Sequence, residues 1–326
     1  MHDGLNRQIN YLRVSVTDLC NFRCVYCMPT QGVKLLSHDE ILSYEELLRV
    51  IRIVSSHGVT RIRLTGGEPL VRRDIVDFVR NIASLKTITD LSLTTNGSLL
   101  AGLAAKLKEA GLNRVNISLD TIDPDQFRNI TRGGNLTETI KGMEAALAVG
   151  LTPVKLNVVL TNIITEQDIA YFVDLVHRVP VSVRFIEYMP IGENQVGRGP
   201  DIEEIKTAIN SFGRGCLKPT LDVHGNGPAK YFVLPQGKGS FGFITPISEH
   251  FCNACNRIRL TADGKFKPCL LSNQEIDIKA ALRTGAGDEE IASLFYDTVA
   301  DKPKGHTLST PGSQTAFFRK MSQIGG

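Results

Sequence analysis

The sequence predicts an α/β chain, with an open, partial (β/α)6 barrel over residues 1–190 and a smaller α+β domain over residues 191–326. Three observations predict it. Six β-rich segments alternate with segments of helical period up to residue 186, a pattern that builds a parallel sheet with helical crossovers. Polar residues gather at the C-terminal ends of those strands, where barrel folds place their sites. After Pro190 the alternation stops and glycines accumulate. Six units are too few for a closed eight-stranded barrel, and a doubly wound sheet would show the same alternation.

Taken in order, residues 11–16 alternate and are β-rich, which makes them the first strand. Residues 44–57 read as a helix, because Leu47, Leu48, Ile51 and Val54 recur at helical spacing and Gly58 lies just beyond. Residues 61–64 are a short strand running into Gly66-Gly67, and residues 74–83 are helical. Strand and helix then alternate at 91–94 and 99–110, at 115–119 and 137–149, and at 154–160 and 169–176, with 181–186 as the sixth strand. Gly66-Gly67-Glu68, Thr94-Thr95-Asn96-Gly97 and Ser118 close successive strands, Asn157 sits on the fifth, and Met189 follows the sixth. One such residue is usually an ordinary turn or cap. Five in succession point to a site. Gly192, Gly197, Gly199 and Pro200 mark a connection, 202–212 a helix and 213–228 a loop-rich stretch. Short strands begin at Tyr231, and helices are expected at 276–283 and 289–299.

Composition excludes several classes. A hydrophobic content of 42% describes a soluble globular chain, and no apolar run approaches membrane-spanning length. The first residues lack the basic and apolar regions of a signal peptide, so a cytoplasmic location with reduced thiols is expected. A net charge of +3 is too mild to argue for nucleic acid.

The most specific stretch is Cys20-Asn21-Phe22-Arg23-Cys24-Val25-Tyr26-Cys27, three thiols at CxxxCxxC spacing. Cysteine thiolates are the usual ligands of a four-iron cubane, and three of them leave one iron open to a small molecule. Zinc sites favour CxxC knuckles, and a dithiol pair of Cys24 and Cys27 would leave Cys20 without a task. A second set, Cys252, Cys255 and Cys269, has CxxCx13C spacing. With His250 it could hold zinc. The alternative is a second cubane with an open iron. Cys216 is a leftover thiol.

Arg257 and Arg259 stand two apart, so in a strand they share a face while Ile258 and Leu260 take the other. Arg61 and Arg63 repeat the arrangement. Paired guanidiniums suit a polyanion such as a triphosphate, because each donates two hydrogen bonds to phosphate. No GxxxxGK[ST] loop is present, so a nucleoside triphosphate would be held by side-chain cations as a substrate.

The cysteine triplet with Thr65-Gly66-Gly67-Glu68-Pro69 resembles the radical S-adenosylmethionine (radical SAM) superfamily. Adding Phe251-Cys252-Asn253-Ala254-Cys255-Asn256-Arg257-Ile258-Arg259-Leu260, Cys269 and the closing Gly325-Gly326, the chain resembles the GTP 3′,8-cyclase family of molybdenum cofactor biosynthesis nearly end to end. The resemblance implies a TIM-like partial barrel, two [4Fe-4S] clusters and SAM. It implies that Cys20, Cys24 and Cys27 hold the SAM cluster, and that Cys252, Cys255 and Cys269 hold the second. Tyr26, Gly67, Ser118 and Met189 would contact SAM. Arg13, Arg63, Thr94, Lys155 and the Arg257–Ile258–Arg259 segment would contact GTP, with Arg61 and Arg184 as further cations. Arg257, Arg259, Gly325 and Gly326 would carry the catalytic roles. An adenosyl radical would remove the ribose 3′ hydrogen and the carbon radical would add to guanine C8. An external electron donor and a homodimer are also implied. The closest rival is a peptide-modifying radical SAM enzyme with an auxiliary cluster, and a more distant one a non-catalytic iron–sulfur or zinc protein.

Overall fold

A computed structural model describes residues 1–191, 196–223, 225–306 and 319–325. Gly192 and Gly326, both named above, lie outside the described residues. The chain opens with β1 (Tyr11–Ser15), α1 (Tyr44–Ser56), β2 (Arg61–Thr65), α2 (Ile75–Ala83), β3 (Asp90–Thr95), α3 (Ala104–Glu109) and β4 (Arg114–Ser118). Two helices, α4 (Pro124–Thr131) and α5 (Leu136–Ala148), precede β5 (Val154–Leu160), and α6 (Glu166–Arg178) leads into β6 (Val181–Glu187). There follow α7 (Ile202–Ser211), β7 (Lys218–Thr220), β8 (Lys230–Val233), β9 (Ser240–Ile244) and β10 (Arg257–Leu260). The last elements are β11 (Lys265–Lys267), β12 (Ile276–Asp277), α8 (Lys279–Arg283), α9 (Asp288–Ala300) and α10 (Met321–Ile324).

Local chemistry explains the helix starts. Ser43 accepts the Glu46 N–H and the Glu46 carboxylate accepts the Ser43 N–H, so both free donors at the start of α1 are satisfied. Thr165 and Asp168 repeat the device at α6. Asp123 caps α4, with Pro124 in the first turn where its missing N–H costs nothing.

The strands form one sheet in the order β12-β11-β10-β1-β2-β3-β4-β5-β6-β9-β8-β7. β1 to β6 run parallel in chain order, as the alternation requires. β10 joins β1 and β9 joins β6, both in parallel, and antiparallel strands follow outward on each side. The expected boundary at residues 190 and 191 therefore falls within a chain whose two parts contribute to a single continuous sheet. Periodicity identifies strands but not their partners, so this joining is invisible in the sequence.

Three smaller differences have local causes. Residues 276–283 are not one helix, because Ile276 pairs with Phe266 and the Asp277 carboxylate accepts the N–H groups of Lys279 and Ala280, starting a short helix there. The helix expected from 99 begins only at Ala104. The loop-rich stretch contains the three-residue β7.

One face of the sheet is covered by helices, and its apolar residues form the core: Leu12, Ile62, Leu93 and Ile117 are buried in one cluster with Leu47 and Ile51 of α1. Phe185 of β6 is fully buried. It meets Phe172 of α6 edge-on at 6.1 Å and Phe241 and Phe243 of β9 at 6.1 and 6.0 Å. Phe185 thus links a barrel strand to a strand from the C-terminal part. We expect Phe185→Ala to cost about 3–5 kcal/mol of stability, read as a lowered midpoint in circular-dichroism thermal unfolding. An unchanged midpoint would show that the two parts do not depend on this contact.

Candidate active site

Beyond β1 the backbone enters the loop carrying Cys20, Cys24 and Cys27, and the turn after β2 packs directly on it. The Gly67 N–H donates to the Thr17 carbonyl (2.8 Å) and the Glu68 N–H to that of Leu19 (2.7 Å). A Cβ on Gly66 would lie 2.6 Å from the Thr17 oxygen, and one on Gly67 2.2 Å from the Leu19 oxygen. Contact between two backbones is what demands the glycines. Glu68 is buried and accepts hydrogen bonds from the Thr95 hydroxyl (2.8 Å), the Asn96 N–H (2.7 Å) and the Leu70 N–H (3.1 Å). It ties the β2 turn to the end of β3, and burial pushes its carboxyl up to about 7. Tyr26 donates to Asp120 (2.5 Å), which also accepts the Val159 N–H (2.8 Å), so the cysteine loop is fastened to the ends of β4 and β5.

Burial pushes the Cys20 thiol up to about 11 and Cys27 to about 12, and holds Cys24 well above the usual thiol range. A cationic group offsets the cost of ionising such thiols. Among the described residues, the trio His250, Cys252 and His306 alone brings three ligand atoms within 4.8 Å of one another. Neither cysteine triplet does so. One tetrahedral ion with bonds of about 2.3 Å would draw its sulfurs closer than that. A multi-iron group, whose cysteine sulfurs sit on different irons, tolerates wider spacing.

Beside the first triplet lies a row of cations created by strand register. Arg259 of β10, Arg13 of β1 and Arg63 of β2 are direct partners in parallel pairing, on strands about 4.8 Å apart. Burial, with Arg259 and Arg63 alongside, holds Arg13 well below the usual guanidinium range, and burial pushes Arg63, near Arg114 and Arg184, and Arg259, near Arg257, down to about 10. Guanidiniums stay charged in proteins, so the row concentrates positive charge in one place. On the other side of the cavity, Arg184 donates to Asn116 (2.7 Å) and to Asn157. Burial, with Arg184 and Arg114 nearby, pushes Lys155 down to about 6. Among the described residues, the buried Tyr11 hydroxyl, Thr94 Oγ1 and Arg184 Nε have no hydrogen-bond partner.

One cavity of about 340 Å³, within the range of small-molecule sites, joins these parts. Both cysteine triplets line it. So do Tyr26, Gly67, Ser118 and Met189, and so do Arg13, Arg63, Thr94, Arg184, Arg257 and Arg259. Of the residues expected to contact SAM or GTP, three do not, and neither does Gly325. Arg61 shares a register row with Tyr11 and Arg257, which line the cavity, but does not line it itself, and Lys155 hydrogen-bonds Tyr231 (3.0 Å). Ile258 is fully buried in the core, as strand alternation requires of the residue between two cavity-facing arginines.

Near the C terminus, Met321 and Ser322 of α10 line the cavity and the Gly325 carbonyl accepts a hydrogen bond from Arg259 (2.6 Å). A Cβ on Gly325, whose φ is +74°, would lie 2.4 Å from Thr65 Oγ1. Arg319 anchors this segment by paired bonds to Asp263 (3.1 and 2.8 Å) and Glu275 (2.6 and 2.7 Å). Sequence pattern does not mark Tyr11, Asp120, Glu187, His306, Met321 or Ser322, all beside the site. Asp120, an acid two residues past a strand end, is the one with a legible signal.

We expect Gly67→Ala to separate the β2 turn from the cysteine loop. The expected result is loss of reconstituted iron with the fold retained, measured as iron per chain against the circular-dichroism spectrum. Full iron content would contradict the close-packing argument.

The comparisons with known proteins agree with this geometry. Residues 14–176 match the Radical SAM superfamily, and residues 181–308 match the family described as Molybdenum Cofactor Synthesis C. A GTP 3′,8-cyclase of Moorella thermoacetica is 51% identical over the whole of both chains. Those of Desulforamulus reducens and Heliobacterium modesticaldum are 50% and 49% identical, again over the full length of each. Among solved structures, Streptococcus suis SuiB is similar in fold, with a TM-score of 0.63 at 17% identity over 92% of this chain and 68% of that one. SuiB bound to S-adenosylmethionine gives a TM-score of 0.62 at 16% identity, over 89% of this chain and 66% of that one. No helix among the described residues is long and apolar enough to cross a membrane. Triplet, glycine turn, arginine row and full-length identity converge, and the chain belongs to the GTP 3′,8-cyclase family of the radical SAM superfamily.

Proposed function

We propose that this cavity converts GTP to its 3′,8-cyclised form, with Cys20, Cys24 and Cys27 holding one [4Fe-4S] cluster and Cys252, Cys255 and Cys269 a second. The observation that carries the reading is the buried Arg259–Arg13–Arg63 row in the same cavity as both cysteine triplets. A triphosphate complements the charge of that row, and a guanidinium can grip phosphate through two donors. When bound, the first cluster and SAM supply the adenosyl radical that takes the ribose 3′ hydrogen.

The chain's own groups hold and shield the reactants. Tyr26, Gly67, Ser118 and Met189 surround the first triplet and form the SAM side. Arg13, Arg63, Arg184, Arg257 and Arg259 hold the phosphates, with Thr94 free to bond the nucleotide, Arg61 adding charge from behind and Lys155 bonded to Tyr231. Arg257 lies 5.1 Å from the Phe251 ring, which keeps its guanidinium flat against the wall. Apolar Phe22, Val159, Ile186, Ile244, Leu270 and Leu271 line the remainder and exclude water. Fixed distance and absence of stray hydrogen donors are what radical transfer requires. Gly325 closes the wall through Arg259. An external electron donor completes the cycle.

A second reading of the C-terminal triplet has one observation in its favour. His250, Cys252 and His306 could hold a single ion, with His306 oriented by its Nε2 bond to the Pro246 carbonyl (2.8 Å). Metal analysis separates the readings: about eight irons per chain support two cubanes, and about four with bound zinc support the single ion.

The defining experiment follows 5′-deoxyadenosine and cyclised GTP after anaerobic reconstitution. We expect Arg257→Ala or Arg259→Ala to weaken GTP binding about 10- to 100-fold, the loss of a charge-assisted bond worth about 1.5–3 kcal/mol. SAM cleavage without GTP should survive. Unchanged GTP affinity would overturn the phosphate assignment.

A further inference from the structure

Behind the second cysteine triplet stand two buried cations that belong to neither the phosphate row nor the cavity lining. Lys302 is 6% exposed. Its ammonium donates to the carbonyls of Arg257 and Pro268, both at 2.8 Å. Pro268 directly precedes Cys269, and Arg257 is two residues past Cys255. Lys302 therefore grips the backbone beside two of the three cysteines. An ammonium has three donors. Two go to those carbonyls, and among the described residues no carboxylate pairs with Lys302. Burial holds its ammonium below the usual range, and the nearby Cys255 and Cys269 oppose that shift.

Arg7 locks the same assembly from the other side. It is also 6% exposed and donates to the carbonyls of Cys252, Pro303 and Lys302, each at 3.0 Å. Asp3 balances its charge at 2.5 Å. All three cysteine segments are thus held by two cations through the carbonyls of Cys252, Arg257 and Pro268, and Arg7 ties Lys302 to them through two more. One cation keeps its own carboxylate. The other does not.

We propose that Lys302, held by Arg7, is the positioning residue of the second cysteine triplet and supplies the countercharge that makes the iron–sulfur group there easier to reduce. The inference rests on the two-cluster reading above. Three thiolates give such a group a net negative charge that grows on reduction, so a nearby fixed positive charge favours the reduced form. Net charge and hydrogen bonds to sulfur are known levers on cluster potential. The first triplet has its own cation on the backbone, Arg132, which donates to the carbonyls of Arg23 and Met28, whereas Lys302 grips only the second, so a change at Lys302 should be confined to the second.

The test is a redox titration followed by electron paramagnetic resonance on the reconstituted full chain, in wild type, Lys302→Met and Lys302→Arg, after counting iron and acid-labile sulfide. Lys302→Met should shift the midpoint potential of the second cluster to a more negative value and leave the first unmoved, while Lys302→Arg stays near wild type. Iron lost from the second triplet alone in Lys302→Met and retained in Lys302→Arg would equally support the role. Two intact clusters with an unmoved second potential in Lys302→Met would overturn it. About four irons in the wild type would instead remove the two-cluster reading, and the proposal with it.

Discussion

The structure depends on one electrostatic arrangement, a line of like charges held out of water by sheet pairing. Arg259, Arg13 and Arg63 are covalently far apart, yet parallel register sets them side by side. Their repulsion is a standing cost that the core beneath must outweigh. Each arginine sits between apolar neighbours whose side chains enter that core, so the residues that bury the sheet also aim the charges. A chain that stores positive charge in this way is organised for an anion, and the proposed triphosphate returns the stored energy as binding.

The cysteines answer the opposite problem. Their loops concentrate groups that become negative on binding metal, and each triplet is surrounded by devices that fix backbone position. At the first triplet the device is chiefly steric, two glycines pressed against the loop backbone, with Arg132 taking the carbonyls of Arg23 and Met28. At the second it is ionic, with Arg7 and Lys302 taking the carbonyls. The two sets are neighbours in the sheet, since the first loop follows β1 and the second set flanks β10, the strand that pairs with β1.

Much of this was legible in the sequence. The six parallel strands follow from hydrophobic alternation, and the first triplet and its glycine turn follow from spacing. The α4 helix was not marked, although Asp123-Pro124 is a good start signal. What stayed hidden was long-range pairing. Nothing local says that Arg257–Leu260 will lie against Tyr11–Val14, and that pairing turns two separate arginine pairs into one row. The same limit explains Arg61 and Lys155. Their charge and strand position were visible, but whether a side chain reaches the cavity depends on how far along the strand the cavity opens. Ile258 shows the reverse case, since alternation alone already turns it away from its neighbours.

The far margins of the sheet have a consequence for behaviour in a crowded cell. A sheet this wide offers two lines of unpaired backbone groups to any passing extended chain. Here the outermost members are β7, three residues that include Lys218 and Pro219, and β12, only two residues long. Proline cannot donate, lysine resists desolvation, and so few residues give an intruder little to match. The protein can therefore carry a broad scaffold for radical chemistry without offering a seed for strand-to-strand aggregation.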